Sequence, residues 1–217
     1  MDKNNIIKEV TKYLKKEFNH ENTGHDYWHF MRVWKVAKEI AKKEGGDLFT
    51  IELGALLHDI ADWKFNKGSH DVGIKKAQKL LKKLRVDERT ITHICYIIEH
   101  ISFKGAKVKN DKQTKESMIV QDADKLDAMG AIGIARVFAY GGSNNRSIYH
   151  PEIKVTLHKS FKTYQNSKGT SINHFYEKLL LLKNRMNTKT AKKIAEKRHK
   201  FLENYLKQFL REWDVKL

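Results

Sequence analysis

Proline is almost missing from this chain: Pro151 is the single one in 217 residues. Proline removes a backbone donor and clashes with the preceding helical turn, so its scarcity leaves long stretches free to be helical. Cysteine is equally scarce. Cys95 alone excludes an intramolecular disulfide, and its apolar setting, ICYII, marks a buried thiol rather than a nucleophile. The lack of further thiolates also argues against a structural zinc site. No run of 18 apolar residues offers a membrane span, and the opening MDKNNIIKEVTKYLKKEF contains nothing like the apolar core of a signal peptide. A cytoplasmic protein without a membrane partner is expected. Acidic residues are outnumbered 26 to 43, giving a formal charge of +17. That excess favours polyanionic partners, whether nucleotides, nucleic acid or an anionic surface, and does not choose among them.

What is present is apolar residues at helical spacing. Val33, Val36, Ala37, Ile40 and Ala41 form one stripe; Ile194, Phe201, Leu202, Tyr205, Phe209 and Trp213 form another on a long final helix capped by Thr188 or Thr190. Further helices are predicted near 5–18, 50–62, 70–84, 87–103, 115–139, 151–165 and 172–186. Glycine-rich polar breaks at 65–71, 103–116, 140–152 and 166–171 read as loops, none long enough to be a domain linker. The expectation is an all-α, single-domain protein over residues 1–217, with a core at roughly 20–140 and C-terminal helices packed on it.

Against that background the stretch LLHDIADWKF, residues 56–65, is anomalous, because a histidine and two aspartates interrupt an apolar helix. Burying a carboxylate without a partner is costly. Adjacent helical residues point about 100° apart, so His58 and Asp59 face one centre only near a helix end or in a crowded interior. His29 lies one turn before Val33 and so faces inward. Asp122, Asp124 and Asp127 interrupt a second apolar helix, VQDADKLDAMGAIGIARVF, where Gly130 and Gly133 suggest the close approach of another helix. Two imidazoles and two carboxylates form a mixed N/O set suited to one divalent cation, with Mn²⁺ placed ahead of Mg²⁺, Co²⁺, Ni²⁺, Fe²⁺ and Zn²⁺. Such a set leaves positions for water and a substrate oxygen.

The ordered blocks GHDYWHFMRV, ALLHDIADWKF, QDADKLDAMGAIGIARVF and NHFYEKLL resemble the HD-domain metal-dependent phosphohydrolases, and in particular the small bacterial nucleoside triphosphate pyrophosphohydrolases. The resemblance spans roughly residues 20–213. It implies an HD-domain helical bundle with His29, His58, Asp59 and Asp124 as metal ligands, Asp124 rather than Asp122 matching the A-D-x-L pattern. It also implies hydrolysis of phosphoester or phosphoanhydride bonds, and here the α,β-anhydride of a nucleoside triphosphate.

Several residues carry two readings. Asp62, four residues after His58, could orient or deprotonate the attacking water beside Asp59, or pair with Lys64. Arg32, Lys64, Asp127, Arg136 and His100 are candidate substrate contacts, with Lys104, Arg146 and Lys178 behind them. For Asp127 an ion pair with Arg136 or a lysine is an equal alternative. His25 is read as structural, and His70, His93, His150 and His199 as surface or packing residues. Tyr27, Trp28, Trp63 and Phe65 flank the ligands, where packing competes with stacking on a base. Rival functions are a phosphatase or phosphodiesterase acting on nucleoside monophosphates, cyclic nucleotides or the guanosine tetraphosphate alarmone, and a basic nucleic-acid-binding module whose binding depends on salt.

Overall fold

The computed structural model describes residues 2–19, 26–60, 71–101, 113–157 and 169–216. Among them every regular element is helical: α1 (Lys3–Phe18), α2 (Tyr27–Glu44), α3 (Leu48–Leu57), α4 (Asp71–Lys83), α5 (Glu88–His100), α6 (Lys115–Asp127), α7 (Gly130–Ser143), α8 (Ser171–Glu177), a 3₁₀ helix (Leu179–Arg185) and α9 (Lys189–Trp213). No described helix is long and apolar enough to cross a membrane. The described residues fall into two compact units, one up to Asp124 and the other from Lys125 onward.

Capping side chains set most starts in the first unit. Asp26, Asp47 and Asp87 each accept from the backbone N–H three residues on, at the beginnings of α2, α3 and α5. Helix α3 is apolar apart from Thr50 and Glu52, and eight of its ten residues are buried, as befits a helix at the centre of a unit. It packs against α1, α2 and α5. Val10, Leu14, Phe30, Leu53, Leu57 and Ile94 belong to the resulting core. Cys95 is buried at its edge, and burial pushes its thiol pKa up, as a packing cysteine requires.

In the second unit, Thr188 caps α9 by accepting from the Ala191 N–H. The Tyr205 ring stacks on Phe175 at 5.7 Å, with Phe138 tilted beside both. Ala191, Ala195, His199, Leu202 and Leu206 form the buried face of α9. Phe201 and Trp213, expected inside, are 50% and 45% exposed.

Two helix expectations are corrected. The single helix anticipated over 115–139 is two, α6 and α7, because Gly130 adopts φ +69°, a left-handed backbone that ends one helix and begins the next. The approach anticipated at Gly130 is real: a Cβ there would lie 3.2 Å from the Arg198 side chain of α9. At Gly133 the crowding comes instead from the chain's own Ala128 carbonyl. The described part of the helix anticipated over 151–165 is a turn followed by chain without regular secondary structure. Its backbone is gripped by two buried side chains of α8: Asn173 Nδ2 donates to the Ile153 carbonyl at 3.0 Å, and Glu177 Oε1 accepts from the Thr156 N–H at 3.2 Å. Those partners take the place of helical ones.

Candidate metal centre

Helix α3 stops at Leu57, and His58 is its C-cap. The break lets His58 and Asp59 turn toward one point, the helix-end solution anticipated for an adjacent pair. His58 is buried, and its Nδ1 donates to the Ala55 carbonyl at 2.8 Å, since a carbonyl can only accept. That bond fixes the ring and leaves Nε2 as the metal-facing nitrogen. His29, fully buried in the first turn of α2, brings its Nε2 to 3.1 Å from His58 Nε2.

The carboxylates close the site. Asp59 Oδ2 lies 3.6 Å from His29 Nε2 and 3.5 Å from His58 Nε2, while Asp124 Oδ1, from α6, lies 3.8 and 3.7 Å from the same atoms. His29, His58 and Asp59 offer donor atoms all within 4.8 Å of one another. Bonds of about 2.0–2.2 Å to one ion put neighbouring donors about 2.8–3.6 Å apart. His29, His58 and Asp59 could therefore hold a single divalent cation, and Asp124 Oδ1 lies within 3.8 Å of both imidazoles. Both carboxylates keep some solvent exposure while both imidazoles have none. The open side of the centre is its oxygen side.

The electrostatics agree with that fit. Burial works against a charged His58, yet the carboxylates of Asp59 and Asp124 outweigh it and raise its pKa to about 9. Burial likewise opposes a charged Asp124, but contact with and the charge of His58 hold its carboxyl well below the usual range.

The other candidates distribute unevenly. Asp127, buried, is ion-paired with Arg136 at 2.9 Å, which is the second of the two readings given to that pair. His100 donates from Nδ1 to the Tyr96 carbonyl at 2.8 Å and stacks on the Tyr96 ring at 4.1 Å. Arg32 is half-buried on α2, and Arg146 sits over the Tyr140 ring. Asp62, Lys64, Trp63, Phe65, His25, His70 and Lys104 lie outside the described residues.

Sequence reasoning passed over Arg198. It lies in EKRHK, whose lysines look like a solvated face, yet its guanidinium donates to the Leu126 carbonyl at the C-terminal end of α6, and burial lowers its pKa. Lys125, also buried, donates to the Arg185 carbonyl at 2.6 Å. The missing side chain of Gly130 leaves the room that Arg198 fills, since a Cβ there would lie 3.2 Å from it. Arg198→Ala should lower unfolding stability by about 1.5–3 kcal/mol, the worth of one hydrogen bond from a charged donor, since the Leu126 carbonyl keeps its bond from the Met129 N–H. Urea unfolding monitored by circular dichroism checks this.

With the geometry in place, comparison with known proteins is informative. The HD domain, as a family profile, matches residues 27–129. YpgQ of Bacillus subtilis is 32% identical over 201 residues, covering 92% of this chain and 90% of its own; its crystal structure in complex with ADP matches with a TM-score of 0.73 over 95% of this chain and 97% of that one. An HD-superfamily hydrolase from Bacillus thuringiensis is 40% identical, with a TM-score of 0.75 over 99% of this chain and 100% of that one. A Lactobacillus plantarum protein of known structure, 35% identical, matches with a TM-score of 0.89 over the whole of both chains.

Proposed function

The chain belongs to the HD-domain family of metal-dependent hydrolases, and from that premise we propose that it hydrolyses nucleoside triphosphates at the α,β-anhydride, releasing a nucleoside monophosphate and pyrophosphate. The observation that carries the proposal is the convergence of His29, His58, Asp59 and Asp124 on one point with an open carboxylate side. A nucleotide substrate is supported by the ADP bound to YpgQ and by the +17 charge of this chain.

In this reading the four side chains hold one divalent ion, Mn²⁺ first among those a mixed N/O set accepts. When bound, such an ion activates water and neutralises charge on phosphate oxygens. The protein does the rest by position. The Ala55 carbonyl holds the His58 imidazole in one tautomer, and Asp26, accepting from the His29 N–H at 2.9 Å, fixes the first turn of α2. Asp59 lies on the open side, where with Asp62 it orients the attacking water and takes its proton. Arg32, Lys64 and His100 supply donors for the phosphate oxygens.

The test is product identity. Nucleoside mono- and triphosphates, a cyclic nucleotide and the guanosine tetraphosphate alarmone are incubated with Mn²⁺ and either the native chain or Asp59→Ala. The expected result is pyrophosphate from a triphosphate with the native chain alone. Free phosphate from a monophosphate, ring opening of the cyclic nucleotide, or pyrophosphate from the alarmone alone would replace the substrate and keep the site. Salt-dependent RNA or DNA binding with no turnover would replace the hydrolase reading.

A further inference from the structure

Helix α2 carries a division that its sequence leaves undecided. Of the two aromatic residues preceding His29, Tyr27 packs against the core, whereas Trp28 is 62% exposed. Helical geometry places this exposure. Taking His29 as the origin, successive residues rotate by about 100°, so Val33, Ala37 and Phe30 lie between about +40° and +100°. All three are fully buried. Trp28 lies at about −100° and Arg32 at about −60°, with the exposed Lys35 and Glu39 at about −120° and −80°. His29 is thus the last buried position before the helix turns to solvent. Trp28 and Arg32, one turn apart, occupy the adjoining flank and lie within about 40° of each other.

An indole 62% exposed at the position next to His29 needs a reason, since large aromatics are normally at least half covered. We infer that Trp28 is the platform on which the base of a nucleotide stacks, with Arg32 on the same flank reaching its phosphates; the inference rests on the nucleotide reading above. Stacking uses the π-face that every base has, so this platform gives affinity for nucleotides as a class rather than selection of one base.

Calorimetric titration with Mn²⁺ present, using ADP and pyrophosphate as probes, tests the inference on the full chain. Trp28→Ala should weaken ADP binding by about fivefold or more, the low end for loss of base–aromatic stacking, and leave pyrophosphate binding unchanged. Trp28→Phe should retain most of the ADP affinity and lose the ADP-dependent quenching of tryptophan fluorescence. Unchanged ADP binding in Trp28→Ala, or an equal loss for both probes, would overturn the platform while leaving the nucleotide reading intact. A native chain that binds pyrophosphate but not ADP would overturn the nucleotide reading, and the platform with it.

Discussion

Turnover with Mn²⁺ is expected to fall by more than about 100-fold in His58→Ala, beyond the loss typical of residues that merely support a metal ligand. His58 Nε2 is the atom nearest to every other donor of the centre: His29 at 3.1 Å, Asp59 at 3.5 Å and Asp124 at 3.7 Å. Its removal opens the coordination and also unbalances two carboxylates that face each other across it. Truncating a buried ring carries a folding cost, so Asp59→Asn is the cleaner companion. Asp59 lies in a turn with partial exposure, and the amide keeps the shape while removing the charge. Both variants should lose metal affinity together with turnover, measured by calorimetry and by product release, with circular dichroism reporting the fold. Native metal affinity and turnover in either variant would contradict the ligand assignment.

The second large effect is on pH. In the metal-free chain His58 carries a proton up to about pH 9, because Asp59 and Asp124 overcome the burial that disfavours its charge. A nitrogen cannot ligate while protonated, so the cation must displace that proton. Metal affinity should therefore rise with pH by about tenfold per unit, levelling off near pH 9. Between pH 6 and 8 the increase is about 100-fold. The linkage also has a sign for stability. A folded-state pKa above the ordinary 6.5 means that the His58 charge stabilises the metal-free fold below about pH 6.5, and that this contribution is lost as pH rises through about 9. Added metal should then stabilise the chain most at the alkaline end. Mn²⁺ titrations in buffers of different ionisation enthalpy would count the displaced proton, expected to be one near pH 7.

Much of this was legible in the residues. His29 betrays its direction through Val33, one turn on, and the adjacent His58 and Asp59 required a helix end or a crowded interior, of which α3 supplies the end. The all-helical fold follows from apolar periodicity in a chain with one proline. Choosing Asp124 over Asp122 needed the resemblance, because spacing alone left the aspartates equivalent. What stayed hidden depends on partners distant in sequence. Nothing local announces that Gly130 adopts positive φ and divides an apolar run that reads as one helix. The non-helical course of 153–157 is held by Asn173 and Glu177, some twenty residues away. The pairing of Asp127 with Arg136 was one of two readings, decided only once α6 and α7 were separate helices. The contrast between Tyr27 and Trp28 required knowing which flank of α2 meets the core.

The central claim is that two imidazoles and two carboxylates hold one divalent ion. Electron spin resonance of the native chain titrated with Mn²⁺ tests it directly, because bound ion is distinguished from free ion and imidazole nitrogens couple to the metal. The expected result is one Mn²⁺ per chain with two nitrogen couplings, one removed by His29→Ala and the other by His58→Ala. Tight Mn²⁺ binding without nitrogen coupling, or couplings that survive both substitutions, would contradict it.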